Sequence, residues 1–257
     1  MTKKTWRNTV AVIVAVVVVG TAGAATAAAL VEGFSVPKMQ SLDYREDHAL
    51  TVEKLSFTTE AAHVTVTMSP DAEMHVRADG FYRGDTPTVE IGDDGSTVAV
   101  GCSYNKRGSC DIDVELSIPS LSVLDIVGSA GDVVLANVDA QTSVTTSSGG
   151  VVSRGSTGTV SVTTRYGDVT VSDAALSVID VDTTFGQVDL DWRVPPESVR
   201  VQNTMGDSAV RLPGDESYDV DASSEKGDVD TDVVDDPTSP RSVSITSEEG
   251  SISLQRR

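Results

Sequence analysis

Hydrophobic and polar positions alternate along most of this chain, and beyond residue 121 a glycine punctuates the alternation at nearly regular steps. Seven segments share one shape, a small or polar pair, then Gly, a polar residue and an aliphatic, as in Ser-Ala-Gly-Asp-Val133 and Arg-Tyr-Gly-Asp-Val169. Their glycines are Gly131, Gly149, Gly167, Gly186, Gly206, Gly227 and Gly250, spaced by 18, 18, 19, 20, 21 and 23 residues. A slowly drifting period near twenty marks a stacked repeat. Five residues before each glycine stands Ile126, Val144, Val162, Val181, Val201, Ala222 or Ile245. Two residues after it stands Val133, Val151, Val169, Val188, Val229 or Ile252, with Ser208 the exception. Around these anchors the period is two, which predicts strands with one buried face. The β-branched bias suits a pleated surface, and no apolar set recurs at helical spacing. Each unit therefore predicts strand, glycine turn, strand, with glycine supplying the positive φ of a tight turn. The expected fold class is all-β, a single-stranded, β-helix-like β-solenoid of about 20-residue repeats. A meander of equivalent hairpins is the alternative.

Upstream, residues 51–120 alternate with poorer repetition and predict diverged first rungs or a terminal cap. Gly92-Asp-Asp-Gly95 reads as a hairpin turn. Residues 121–257 carry the regular repeats, and 51–257 together form one expected domain. Residues 32–50, with Gly33, Pro37 and a charged run, predict a stalk or linker.

Residues 1–31 are different in kind. Lys3, Lys4 and Arg7 precede 23 uncharged residues, Thr9 to Val31. As a helix these would extend roughly 34 Å, enough to cross a bilayer. The basic flank predicts a cytoplasmic N-terminus and an extracytoplasmic body, anchored by a single pass through the cell membrane. Sites such as Ala22-Gly-Ala24 and Ala25-Thr-Ala27 leave a cleaved signal peptide, hence a secreted body, as the other reading.

Composition narrows the partners more than the activity. The formal charge is -20, a surface that repels phosphate backbones, so nucleic acid is not expected as a partner. Aromatics are only 4%, too few for a wide ring-filled core but enough for a thin stack of Val, Ile and Leu. Cys102 and Cys110 bracket a short loop and, outside the membrane, predict a disulfide. The enclosed Lys106 and Arg107 make a small basic spot. His63 and His75 fall on neighbouring predicted strands, with no third ligand in sight. Asp228, Asp230 and Asp232 alternate on one strand, and Asp180, Asp182, Asp189 and Asp191 make a second acidic group. Clustered oxygen ligands suit Ca²⁺. Against this, the position after the repeat glycine runs Asp132, Gly150, Asp168, Gln187, Asp207, Asp228, Ser251, leaving only Asp207 beside Asp228 if rungs stack in chain order. That pattern reads as charge spacing. Neither a nucleophile elbow, nor a zinc-protease motif, nor a phosphate loop occurs, so no cofactor and no enzymatic activity are expected.

The apolar N-terminal segment, the β region ending in Glu115-Leu-Ser-Ile-Pro119 and the repeated Ser/Thr-x-Gly-Asp-Val turns together resemble a bacterial family of unknown function. Its members are described as candidate adhesins with β-strand repeats, related to toastrack domains of envelope-stress proteins. The resemblance covers roughly 51–257 and implies a solenoid-like fold and surface exposure, with no catalytic residues to carry over. Two functions follow as expectations. One is a non-catalytic surface-binding or adhesin-like module that meets cell-wall polymer. The other is an envelope regulatory or scaffold protein contacting membrane-protein partners.

Overall fold

A computed structural model of the chain describes residues 38–102 and 109–257, and every α-helix-length or shorter regular element in them is a strand. The expected span at 9–31 and the basic pair Lys106 and Arg107 lie outside the described residues.

The repeats form a solenoid, and each coil supplies the two strands expected on either side of its glycine. The strand before the repeat glycine joins a first sheet, as Asp139–Ser148 does, and the strand after it joins a second, as Val151–Arg154 does. Both sheets are parallel and in register from coil to coil: Val144 pairs with Val162 and Val162 with Val181. The inward positions named above are buried together in one core, Ile126, Val144, Val162, Val181, Val201 and Ile245 with Val133, Val151, Val169, Val188 and Ile252. Ser208 occupies its inward place too, buried among them.

Two different corners close each coil. At the glycine corner the requirement is closeness rather than a left-handed backbone. A Cβ on Gly167 would lie 2.0 Å from the carbonyl oxygen of Gly149, and one on Gly186 would lie 2.1 Å from that of Gly167. Positive φ, expected of them all, holds among the repeat glycines at Gly131, Gly149 and Gly206. Side-chain-free stacking of one corner on the next is the constraint common to all seven. The opposite corner escaped the sequence reading. There Asn137, Gly155 and Asp173 stand 18 residues apart with φ of 55°, 63° and 51°. Asn, Gly and Asp are the residues that tolerate this left-handed conformation.

Coils do not stack in chain order at either end. Residues 54–68 lie between the coil of 97–118 and that of 123–136. At the far end, 242–256 is inserted between 198–212 and 217–231. Burial explains the second inversion. Val243, Ile245, Ile252 and Leu254 are fully buried and need a neighbour on both sides. The 217–231 coil offers Ala222 and an exposed Val229 at the matching positions, so it suits the outside. The glycine stack accordingly runs Gly206, Gly250, Gly227.

The N-terminal end is finished differently. Glu73–Arg83 runs antiparallel to Ser109–Ile118, and Gln40–Ala49 antiparallel to Glu73–Arg83. Residues 40–49, expected within the stalk, are thus an edge strand of the body. Its period-two signal is faint because only Leu42 and Tyr44 reach the core. Cys102 and Cys110 are joined as a disulfide with Cα atoms 6.0 Å apart. They tie the end of Thr97–Gly101 to the start of Ser109–Ile118.

Candidate functional site

The surface features of this molecule are ladders, because register places equivalent positions of successive coils side by side. The residue just after the corner glycine forms the first. Asp132 accepts a hydrogen bond from the amide of Gly150 (2.7 Å), Asp168 from that of Gln187 (2.7 Å) and Asp207 from that of Ser251 (2.8 Å). Each carboxylate thus caps the next coil's backbone, and each acid is followed in space by a non-acid. Asp207 is not beside Asp228, as chain order suggested, because Ser251 lies between them. At about 4.8 Å between strands, adjacent carboxylates would repel by roughly 0.9 kcal/mol in water. The interruptions at Gly150 and Gln187 are therefore structural.

The outward face of the first sheet is the second feature. Ser143 and Thr145 stand beside Ser161 and Thr163, which stand beside Asp180 and Asp182, then Arg200 and Gln202. The guanidinium of Arg200 lies 3.8 Å from Asp180. The result is a flat face of short hydroxyls grading into charges, carried on rigid parallel strands.

A third ladder borders that face at the position just before the glycine, reading Ala61, Ala130, Ser148, Tyr166, Phe185, Met205 and Glu249. Tyr166, Phe185 and Met205 are 53%, 40% and 37% exposed, and the two rings stack with centroids 5.1 Å apart and planes 6° from parallel. Sequence reasoning passed over this ridge. Its signal was present in Tyr166, Phe185 and Met205, large apolar residues in a motif position otherwise held by small or polar ones.

The calcium candidates do not converge. Asp232 pairs with Arg256 at 2.9 Å, and that guanidinium holds its carboxyl below the usual range. Asp228, Asp230 and Asp232 are exposed on the outermost coil, and no group of three or more His, Cys, Asp or Glu side chains placed to hold a metal ion occurs among the described residues. The second acidic group is divided between sheets. Asp180 and Asp182 face outward from the first, while Asp189 binds Arg211 (2.6 Å) and Asp191 meets Arg257 (3.3 Å) on the second. His63 and His75 do not meet either, because Ser109–Ile118 lies between their strands. His63 stands 3.6 Å from Asp132. His75 is held between Asp47 (2.6 Å) and Asp71 (3.1 Å), and its hydrogen bond to Asp47 is the main cause of a raised pKa.

A parallel two-sheet solenoid with laddered surfaces is a class of scaffold built to display residues at fixed intervals. The chain belongs to the Toastrack DUF4097 family, whose model matches residues 103–255, more than half its length. None of the curated proteins matches it in sequence. Among solved structures, a "putative adhesin" from Bacteroides fragilis is similar over 86% of this chain and 99% of its own, at 14% identity and a TM-score of 0.57, which shows the shared fold. Looser matches are a "putative cell adhesion protein" from Clostridium sporogenes (13% identity, 86% and 100% covered, TM-score 0.37) and a "putative lipid binding protein" from Parabacteroides distasonis (11%, 88% and 98%, TM-score 0.33).

Proposed function

We propose that this chain is a non-catalytic, adhesin-like module, anchored in the bacterial membrane by residues 9–31 and holding its solenoid outside the cell, where the flat Ser/Thr face meets cell-wall polymer. The observation that carries this reading is the in-register hydroxyl face of Ser143, Thr145, Ser161 and Thr163. A repeating polymer presents equivalent groups at intervals, and a solenoid presents hydroxyls at intervals to match. The adhesin description of the Bacteroides fragilis structure points the same way.

One observation favours a second reading, an envelope scaffold for membrane-protein partners. Residues 215–236 hold ten acidic side chains and a single base, Lys226, so one end of the solenoid is a strongly anionic cap suited to a basic partner. Cross-linking in intact cells, followed by mass spectrometry of what is attached, separates the two. Recovered wall polymer supports the surface module. Specific membrane proteins instead would establish the scaffold. A chain found wholly inside the cell would remove both.

A further inference from the structure

The ladder along the glycine corner divides in the middle. On one side lie three small residues, Ala61, Ala130 and Ser148, and on the other three large ones, Tyr166, Phe185 and Met205. Ala61, Ala62, Ala130 and Gly131 line a shallow recess, while the ridge projects from the next coils. We propose that this corner is a contact between two copies of the chain, meeting antiparallel about a two-fold axis that passes between the Gly149 and Gly167 coils.

The symmetry fixes which residues of the two copies meet. An in-plane two-fold perpendicular to the solenoid axis reverses coil order and keeps each ladder facing its own counterpart, as an isologous interface must. Ser148 then faces Tyr166 of the second copy, Ala130 faces Phe185, and Ala61 faces Met205. Every large side chain meets a small one. The same operation acts on the neighbouring ladder, His63, Asp132, Gly150, Asp168, Gln187, Asp207. It sets Gly150 against Asp168, Asp132 against Gln187 and His63 against Asp207. An acidic protein pairing with itself ordinarily sets like charges together, which costs affinity and specificity. Here no carboxylate of that ladder faces another. The alternation that caps each coil internally also makes the corner complementary to its own reverse.

Six coils at about 4.8 Å give a strip roughly 24 Å long. It is narrow, below the size of a standard stable interface. The contact therefore suits copies held at high local concentration, and in that respect it rests on the surface reading above.

The test uses the full chain in its native cells. Copies carrying Ala61→Cys and copies carrying Met205→Cys, with different tags, are co-expressed and treated with a short bismaleimide. Cross-linked A61C–M205C heterodimer is expected at least tenfold above A61C–A61C. Adding Tyr166→Asp to both copies should remove that product, with circular dichroism and melting temperature showing that the fold persists. M205C–M205C as the dominant product would overturn the antiparallel register. Failure of every pair to cross-link, with the protein still at the cell surface, would overturn the contact and leave the surface reading standing.

Discussion

The two ends of the solenoid solve one problem by different means. A parallel stack must stop somewhere, and its last strand offers unpaired backbone groups to any neighbour. At the N-terminal end the chain turns back on itself. Glu73–Arg83 and Gln40–Ala49 add two antiparallel strands to one sheet, and Thr88–Ile91 adds one to the other. Met74, Val76 and Ala78, on Glu73–Arg83 itself, are buried, so the added strand contributes core at this end. At the C-terminal end the stack stays parallel to the last, and its outer coil exposes Val229 (41%) and, just beyond, Val234 (52%). Charge stands in for cover there, ten carboxylates within residues 215–236. One end is closed by packing, and the other leaves an open edge set among like charges.

The largest expected contrast is between the middle of the stack and its acidic end. Gly167→Ala drives a Cβ to within 2.0 Å of the Gly149 carbonyl, with coils on both sides and no room to yield. Overpacking of this kind should cost about 3 kcal/mol in denaturant melting. Gly227→Ala creates the same clash with Gly250, yet the outermost coil can loosen alone, so a loss of about 1 kcal/mol is expected. Equal losses would mean that the end coil is as firmly held as the middle. Core truncation gives the next contrast. Ile245→Ala should cost about 3 kcal/mol, while Val229→Ala, on the adjacent coil, should cost less than about 0.5. A large effect at Val229 would show that the outer coil is packed against something in solution.

The inversion of coil order at the ends bears on what a sequence can say. Strand content, the inward residues and the glycine corner were all legible, because period two and a recurring glycine are local signals. Coil order was not, because the 217–231 and 242–256 segments carry the same corner motif and either could stack on Gly206. Only the balance of Ile245 and Leu254 against Ala222 and Val229 decides between them, and that is a comparison over distance. Chain order also misplaced Asp228 beside Asp207. The ridge of Tyr166, Phe185 and Met205 was written in the motif but could be seen as a surface only once the coils were in register. The left-handed corner of Asn137, Gly155 and Asp173 was hidden because three residue types share one conformation.

The disulfide belongs to the covered end and should matter there. Cys102 and Cys110 are eight residues apart, a short loop whose closure is worth about 2 kcal/mol by chain entropy. The double substitution C102S/C110S should lower stability by about that amount, measured by denaturant melting. A negligible change would mean that the antiparallel strands alone secure this end. The acidic end invites the converse experiment. Neutralising Asp219, Asp221, Asp228 and Asp230 to asparagine weakens the repulsion, and edge-to-edge association should then appear in sedimentation at salt concentrations where the parent stays monodisperse. A monodisperse variant would show that charge is not what protects that edge.

The smallest effect expected is local, and it tests whether the covering strand at the N-terminal end is pinned by protonation. His75 lies between Asp47, on the edge strand, and Asp71, and both hydrogen bonds favour its charged form. Its pKa in the folded protein is raised from 6.5, chiefly by Asp47, so the pairing stabilises the fold fully below about pH 6.5. As pH rises through the raised value the imidazole loses its charge and that contribution disappears. Amides of residues 41–49, followed by hydrogen exchange corrected for the intrinsic rate, should therefore lose protection across that interval, while those of 242–249 should not. His75→Gln retains a donor without a titratable charge and should flatten the profile. A strand that loosens with pH in the variant as in the parent would mean that the register with Glu73–Arg83, rather than the histidine clamp, governs how that end is held.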